Sequence, residues 1–390
     1  LGYKLPNFKK IYEKTISTSS ETEYENLEPW IQWVSIHTGK SYNEHRVFRL
    51  GDIVNYNHLQ FYEIIEEMGF SVGAISPMNC KNNLIKPDYF VPDPWTDTKP
   101  SKVTIPKYLH KSLKQAVNDN SKGTIKLSSY IMLLYCIIRT FNLNDLIKFP
   151  FRALKTIGSS WKKSIFLDEI LHKIHLSLLN KNNTHFSSIF FNAGAHIQHH
   201  YFHSSKVSST NIQNPEWYVS KKDDPLLEVL KSYDKAIGDY LAIQNQGYDI
   251  LICTGLSQTA VIKNVFYYRL EDHSNFFDLF SIPYIKIEPR MTRDFLVHFK
   301  DNSEALAVKD YIQGISIRSK KVFDHIDVRE NELFITLTYD EEIKKESIIS
   351  YKSFNGNSLV EFDLADKVVF VAIKNGEHSE KGYLFKSFDT

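Results

Sequence analysis

Cysteine is scarce in this 390-residue chain, and the three present, Cys80, Cys136 and Cys253, lie far apart without any paired spacing. That excludes a disulfide framework and a thiolate zinc cluster, and makes a reducing, cytoplasmic setting the expected one. An excess of charge is missing as well: 47 Lys and Arg face 46 Asp and Glu, so no overall field would hold the chain on nucleic acid or an acidic membrane. Long apolar runs are also absent. The most apolar one, SSYIMLLYCIIRTF from Ser128 to Phe141, is too short to span a bilayer and reads as a buried helix. The opening, LGYKLPNFKKIYEK, reads as a loop entering an amphipathic helix and not as a basic-then-apolar leader. Because parallel α/β domains usually begin on a strand, a first strand is expected ahead of Leu1.

What is present is enough apolar material, 42% of residues, for one large core or two moderate ones. Helices are expected near Asn7 to Thr15, from Pro29, and from His58 to Met68, followed by FSVGAIS as a short apolar strand. From Ile105 to about Leu179 the three- and four-residue spacing of Leu127, Ile131, Leu134 and Ile138 turns helical, as in an insertion or cap. Strand character returns in FSSIFFNAG (Phe186 to Gly194), a helix runs from Pro225 to about Gln244, and YDILICTGL reads as a buried strand. Two short strands between Pro283 and Lys300, a helix Ser303 to Ile312, a strand Glu332 to Thr338 and a last strand KVVFVAI (Lys367 to Ile373) complete the pattern.

Strands separated by helices imply a three-layer α/β/α fold with a mostly parallel central sheet and a helical insertion. The expected divisions are a first core segment 1–104, the insertion 105–180, a second core segment 181–282, a small α+β subdomain 283–366 and a final core segment 367–390. Such sheets bind ligands beyond the carboxyl ends of their strands.

The residues with useful chemistry gather at those ends. In NAGAHIQHHYFH, Asn192, His196, His199, His200 and His203 follow directly on a strand, and His196 with His199 or His200 shares a helix face. One histidine in such a run is more often a packing or solvated residue than a ligand, but the cluster of four favours function. In NGEHSEKGYLF, His378 stands between Gly376 and Gly382, which permit close backbone approach. The stretch Glu25 to Asp52 puts Pro29 in the first turn of a helix and Glu28 at its cap, with Gln32, His45 and Arg49 nearby. Two Trp there fit a core equally well. Gln258, Arg290 and Arg293 follow further apolar runs; arginine suits bidentate contact with phosphate or sulfate, although a structural salt bridge is the commoner role.

Taken in order, these segments resemble the alkaline phosphatase superfamily, in particular its type I phosphodiesterase and sulfatase-like branch. GYKLPNFKKI is similar to the segment after that family's first strand. VSIHTGKSYNEHRVF resembles its Thr-Gly…Pro-x-x-His-Gly-Ile pattern. FFNAGAHIQHH resembles the strand ending in Asp-x-x-x-His, with Asn192 and His196 at the two ligand places, and NGEHSEKGYLF resembles the late Gly-x-His segment, with His378. The resemblance implies a one-metal site, zinc or manganese, held by Asn192, His196 and His378. It departs from the family where the nucleophilic Thr or Ser is replaced by Glu28 or Pro29, and where Ser-Asp-His-Gly of the second metal is replaced by TGLSQ.

Two functions follow. The first is a hydrolase or transferase acting on a phosphate (mono- or diester) or sulfate ester of a small molecule or glycan. Glu28, His45 and His200 would be its catalytic groups, and Gln32, Arg49, Gln258, Arg290 and Arg293 its substrate-binding groups. Glu28 would be a metal ligand, a general base or a carboxylate nucleophile. The rival is a catalytically inactive relative that binds a phosphorylated or glycan ligand in a surface-polysaccharide pathway.

Overall fold

The most deeply buried strand is Val72–Ile75, every residue of which is buried. It is the middle of a three-stranded sheet and pairs in parallel with Tyr89–Val91 on one side and Phe186–Ile189 on the other. Alternation assigns its faces. Ile75, Tyr89 and Val91 pack with Leu109, Cys136, Ile137, Ile170 and Ile174 from the helices Thr104–Asn118, Leu127–Thr140 and Ser160–Asn182. Val72, Ala74 and Phe90 pack on the opposite side with Tyr62 and Cys80. These features belong to a computed structural model of the chain, which describes residues 3–19, 23, 26–118, 126–208, 210–290 and 292–388.

One row across this sheet shows how residue size sets its construction. Gly73 lies opposite Tyr89 on one side and Ser187 on the other. The Tyr89 ring crosses over Gly73, so that its hydroxyl reaches Ser187 Oγ at 2.6 Å. His175 Nε2 meets the same Oγ at 2.7 Å, and His175 Nδ1 meets Tyr240 Oη at 2.8 Å. A Cβ at Gly73 would sit 2.4 Å from Tyr89 Cζ. Gly73→Ala is therefore expected to displace the ring and lower unfolding stability by about 1–3 kcal/mol, measured by urea titration.

The chain divides into two compact units, Leu1–Ala260 with Gly376–Thr390, and Val261–Asn375. This differs from the expected subdomain 283–366, because the strand Ser257–Leu270 and its partner Val368–Ser379 carry the chain out of the first unit and back. Besides the parallel sheet, the first unit holds an antiparallel sheet in which Lys381–Lys386 lies between Thr15–Ser19 and Leu251–Cys253. The second unit holds a four-stranded antiparallel sheet, in the order Ile326–Arg329, Glu332–Thr336, Asp294–His298, Lys286–Pro289. The helix Asn302–Ile312 buries Ala305, Val308 and Ile312 in the same unit.

The architecture is thus mixed α/β, and three expectations need correction. The broad, mostly parallel central sheet is reduced, among the described residues, to three parallel strands, and the remaining sheets whose pairing is described are antiparallel. YDILIC does not enter a parallel core: Leu251–Cys253 is half-exposed and pairs with Lys381–Lys386, a partner more than a hundred residues away. The segment Ile105 to Leu179 is helical as expected, yet it does more than cap the core, because Ile170, Leu171 and Ile174 cover one face of the parallel sheet. No helix among the described residues is long and apolar enough to cross a membrane.

Candidate functional site

Glu28 is the N-cap of the helix Pro29–Thr38, with Pro29 at the first helical position and Gly39 closing the far end in the left-handed conformation at φ 66°. These are the residues such ends require: proline has no N–H to leave unsatisfied, and glycine carries no Cβ to clash. The helix is seated by Ile31, Val34 and His37. The Glu28 carboxylate caps no backbone N–H of its own helix. Instead its Oε2 lies 3.3 Å from His378 Nδ1.

The histidine-rich helix is Ala193–Tyr201, two turns that follow the strand Phe186–Ile189. Ala193, Ile197 and Tyr201, at four-residue steps, are buried with Trp161, Ile165, Leu226 and Val229. That fixes the rotation of the helix and so decides which histidines share a face. His196 and His200 form one pair, their ring centroids 4.9 Å apart. His199 points elsewhere: its Nδ1 is 3.2 Å from the Gly376 carbonyl, and its Nε2 is 3.0 Å from His378 Nε2.

Gly376 makes this approach possible. A Cβ there would lie 2.6 Å from the Gln198 carbonyl and 2.9 Å from Gln258 Oε1. Gly382 serves the same purpose beyond His378, since its Cβ would meet the Gly255 carbonyl at 2.4 Å. The expectation of close backbone approach on either side of His378 is met at both glycines.

Three distant segments therefore place Glu28, His378 and His199 in one line within the first unit. Counting protons along it is instructive. A carbonyl only accepts, so His199 Nδ1 carries the hydrogen and its Nε2 presents a lone pair. His378 Nε2 must then donate. His378 Nδ1 faces a Glu28 carboxylate oxygen at 3.3 Å, a contact that becomes a hydrogen bond when a proton lies between them. The line ends on a half-exposed carboxylate, the Glu28 side chain being 36% exposed and that of His378 15%.

The other expected residues are placed differently. His45, proposed as an acid or base, is fully buried. Its Nδ1 accepts from the Val47 N–H at 3.0 Å and its Nε2 meets Ser35 Oγ at 3.0 Å, so both nitrogens are committed to the local fold. Burial pushes its pKa down to about 4, which keeps it neutral. His196 is held at about 4 by the same cause. Its ring contacts are with His200 and Tyr201, and not with His378. Asn192 caps the helix Ala193–Tyr201 and gives its carbonyl to the His196 N–H at 3.0 Å. Gln32 donates to the Asn26 carbonyl at 3.0 Å, closing the chain ahead of its own helix. Arg49 is exposed. Gln258 Nε2 donates to the Ala195 carbonyl at 3.2 Å, which leaves Oε1 buried and without a hydrogen-bond partner. Arg290 and Arg293 belong to the second unit. There Arg290 pairs with Glu288 at 3.3 Å, and Arg293 lies over the Tyr267 ring and donates to the Leu337 carbonyl.

Two residues of the neighbourhood are not among the expected site residues. His199 is one; the spacing offered it as an alternative, and only the buried face of its helix selects it. Asp168 is the other, a buried carboxylate from the long helix Ser160–Asn182. It accepts from the Ala193 N–H at 2.8 Å and the Tyr233 hydroxyl at 2.7 Å, which places a carboxylate at the N-terminus of the histidine helix. Burial raises its pKa to about 6, against the opposing hydrogen bonds.

The metal expected from the resemblance would need ligands that converge on one point. Glu28 and His199 approach opposite edges of the His378 ring, so they do not share a point with it. Among the described residues no group of three His, Cys, Asp or Glu side chains is gathered to hold a metal ion. The described donors do not form a three-ligand site. No family model matches the chain, and no curated protein matches it.

Proposed function

We propose that the chain is a hydrolase or transferase acting on a phosphate or sulfate ester, with Glu28, His378 and His199 as its proton-transfer unit. One observation carries the reading: a carboxylate and two imidazoles from three distant segments meet at 3.3 and 3.0 Å, at the start of a helix. In the alkaline phosphatase superfamily, which the sequence resembles, the Glu28 slot is that of the nucleophile and the His378 slot is a ligand of the reacting centre. Their adjacency here supports the placement.

Hydrolysis needs a proton removed from water and one delivered to the leaving oxygen. Glu28 takes the first as the oxygen of water bonds to phosphorus or sulfur. A proton shared between His378 Nδ1 and Glu28 goes to the leaving oxygen as that bond breaks, and the proton taken from water replaces it. The Gly376 carbonyl holds His199 in a single tautomer, so the direction of transfer is set by backbone geometry.

The test is a panel of aryl phosphate monoester, phosphodiester and sulfate ester substrates with release of the phenol as the readout. Turnover of at least one class by the wild-type chain, lost in His378→Ala, is the expected result. Binding of inorganic phosphate with no turnover of any class would instead support the inactive, ligand-binding relative.

A further inference from the structure

The helix Leu127–Thr140 is not buried as its composition suggests. Its inner residues Ser129, Cys136 and Ile137 are covered, but Leu127, Tyr130, Ile131, Leu134 and Ile138 face solvent, with Leu127 75% and Ile131 60% exposed. Spaced at three and four residues, these form one continuous apolar stripe. The next helix, Leu143–Leu154, turns Leu146 and Phe149 toward the same core cluster and leaves Leu143, Ile147, Phe151 and Leu154 exposed, Leu143 at 72%. An apolar surface of this extent on a folded chain marks an interaction site.

Charge indicates what covers it. Between residues 126 and 163 the sequence holds seven Lys or Arg and a single acid, Asp145. Asp145 is itself paired with Lys173 at 3.8 Å, and acids outside the stretch pair with Arg152 (Glu169, 3.2 Å) and Lys162 (Asp223, 4.0 Å), so the excess rests on the other five cations. Next to the stripe, Lys99, Lys102, Lys107, Lys111 and Lys126 line an open groove of about 770 Å³, together with Lys114, which pairs with Asp97 at 2.8 Å. Lys126 is also the N-cap of the helix Leu127–Thr140, so groove and stripe are continuous. His110 lines the groove, and its Nε2 is buried without a hydrogen-bond partner. A second copy of the chain would bring two such basic faces together and be repelled. An anionic bilayer surface offers acyl chains to the stripe and phosphates to the lysines. A 14-residue helix is about 21 Å long, short of the roughly 30 Å hydrocarbon core, so it would lie in the interface and not span it.

We infer that the two helices Leu127–Thr140 and Leu143–Leu154 form a membrane-interface surface that seats the protein on anionic lipid, with the lysine groove receiving lipid phosphate groups. This is independent of the ester-cleaving reading. The near-neutral net charge of the whole chain conceals it, because acidic residues elsewhere balance this basic region.

Flotation of the full chain with phosphatidylcholine vesicles, with and without about 30% phosphatidylserine, tests the inference. The wild-type chain is expected to float with the anionic vesicles and to lose the association in high salt. The double variant Ile131→Glu/Ile138→Glu, altered only at exposed positions, is expected to bind about tenfold more weakly or worse. Lys107→Glu/Lys111→Glu should abolish the preference for anionic lipid. Circular dichroism checks that both variants are folded. Failure of the wild-type chain to float would overturn the inference, whatever else the face binds. So would equal flotation by the wild-type and Ile131→Glu/Ile138→Glu chains, or a dimer dispersed by that variant without any lipid binding.

Discussion

Under the proposed function, alanine at His378 or at His199 is expected to lower kcat for ester turnover by about 10²- to 10⁴-fold, the range that general acid–base groups contribute. Both residues are expected to behave alike, because each is useful only while the other is present. His199 Nε2 has no role in the line without the His378 N–H 3.0 Å away, and His378 loses its proton acceptor without His199. Neither change should unfold the chain. His378 and His199 are half-buried, and each stands at an edge of the core, not inside it. The melting temperature of each variant, measured beside its kinetics, separates lost chemistry from lost structure. His45→Ala gives the contrasting pattern: its nitrogens serve Val47 and Ser35, so stability falls while the kcat of the folded fraction is retained.

Acidification from pH 7 to pH 5 is expected to remove at least about 4 kcal/mol of unfolding stability through His37, His175 and His196 net of Asp168, a large part of what a domain has. His45, His110, His172 and His273, also lowered to about 4 by burial, act in the same direction. His37 and His196 are held near pKa 4 and His175 near 3, in each case by burial before any other cause. A histidine whose pKa is depressed in the folded state stabilises the fold fully above its unfolded value of 6.5. That contribution is lost as pH falls through the window down to the folded value. Each of the three accounts for about 2 kcal/mol between pH 7 and pH 5. Asp168 acts in the opposite sense: its pKa is raised to about 6, so its contribution is complete only below the ordinary carboxylate value and is lost as pH rises through 6. It returns about 1 kcal/mol on acidification. Guanidinium unfolding at the two pH values measures the balance. A curve that is flat, or that rises toward pH 5, would contradict the burial of these imidazoles. His37 has a further reason to resist protonation, since its Nδ1 is buried with no hydrogen-bond partner and a proton there would have nowhere to donate.

Much of the site's frame could be read before any coordinates. Pro29 and Gly39 mark the two ends of a helix by backbone chemistry alone, and Glu28 therefore falls at its cap. Gly376 and Gly382 signal close approach for the same local reason. FSVGAIS reads as a short apolar strand and holds Val72–Ile75, and Lys286–Pro289, Asp294–His298 and Asn302–Ile312 lie where spacing placed them.

What escaped depends on partners remote in the chain. Choosing His199 over His196 requires the rotation of a short helix, and that is fixed by Trp161 and Leu226, far away on either side. Asp168 stands beside Glu169 in an ordinary helical stretch, with nothing nearby to mark it as a cap for Ala193. The antiparallel partner of Leu251–Cys253 lies at the other end of the chain. The helix Leu127–Thr140 misled for a different reason. Composition tells a helix apolar on every side from one with a polar face, but it cannot tell which apolar side is left in water.

The most direct measurement is a double-mutant cycle on turnover with Glu28→Gln, His378→Gln and the pair together. If the two side chains act as one proton-transfer unit, the double variant is expected to be no slower than the worse single one within about threefold. Losses that multiply independently, or single variants with undiminished turnover, would contradict the assignment of the 3.3 Å contact between Glu28 and His378 as the working centre of the site.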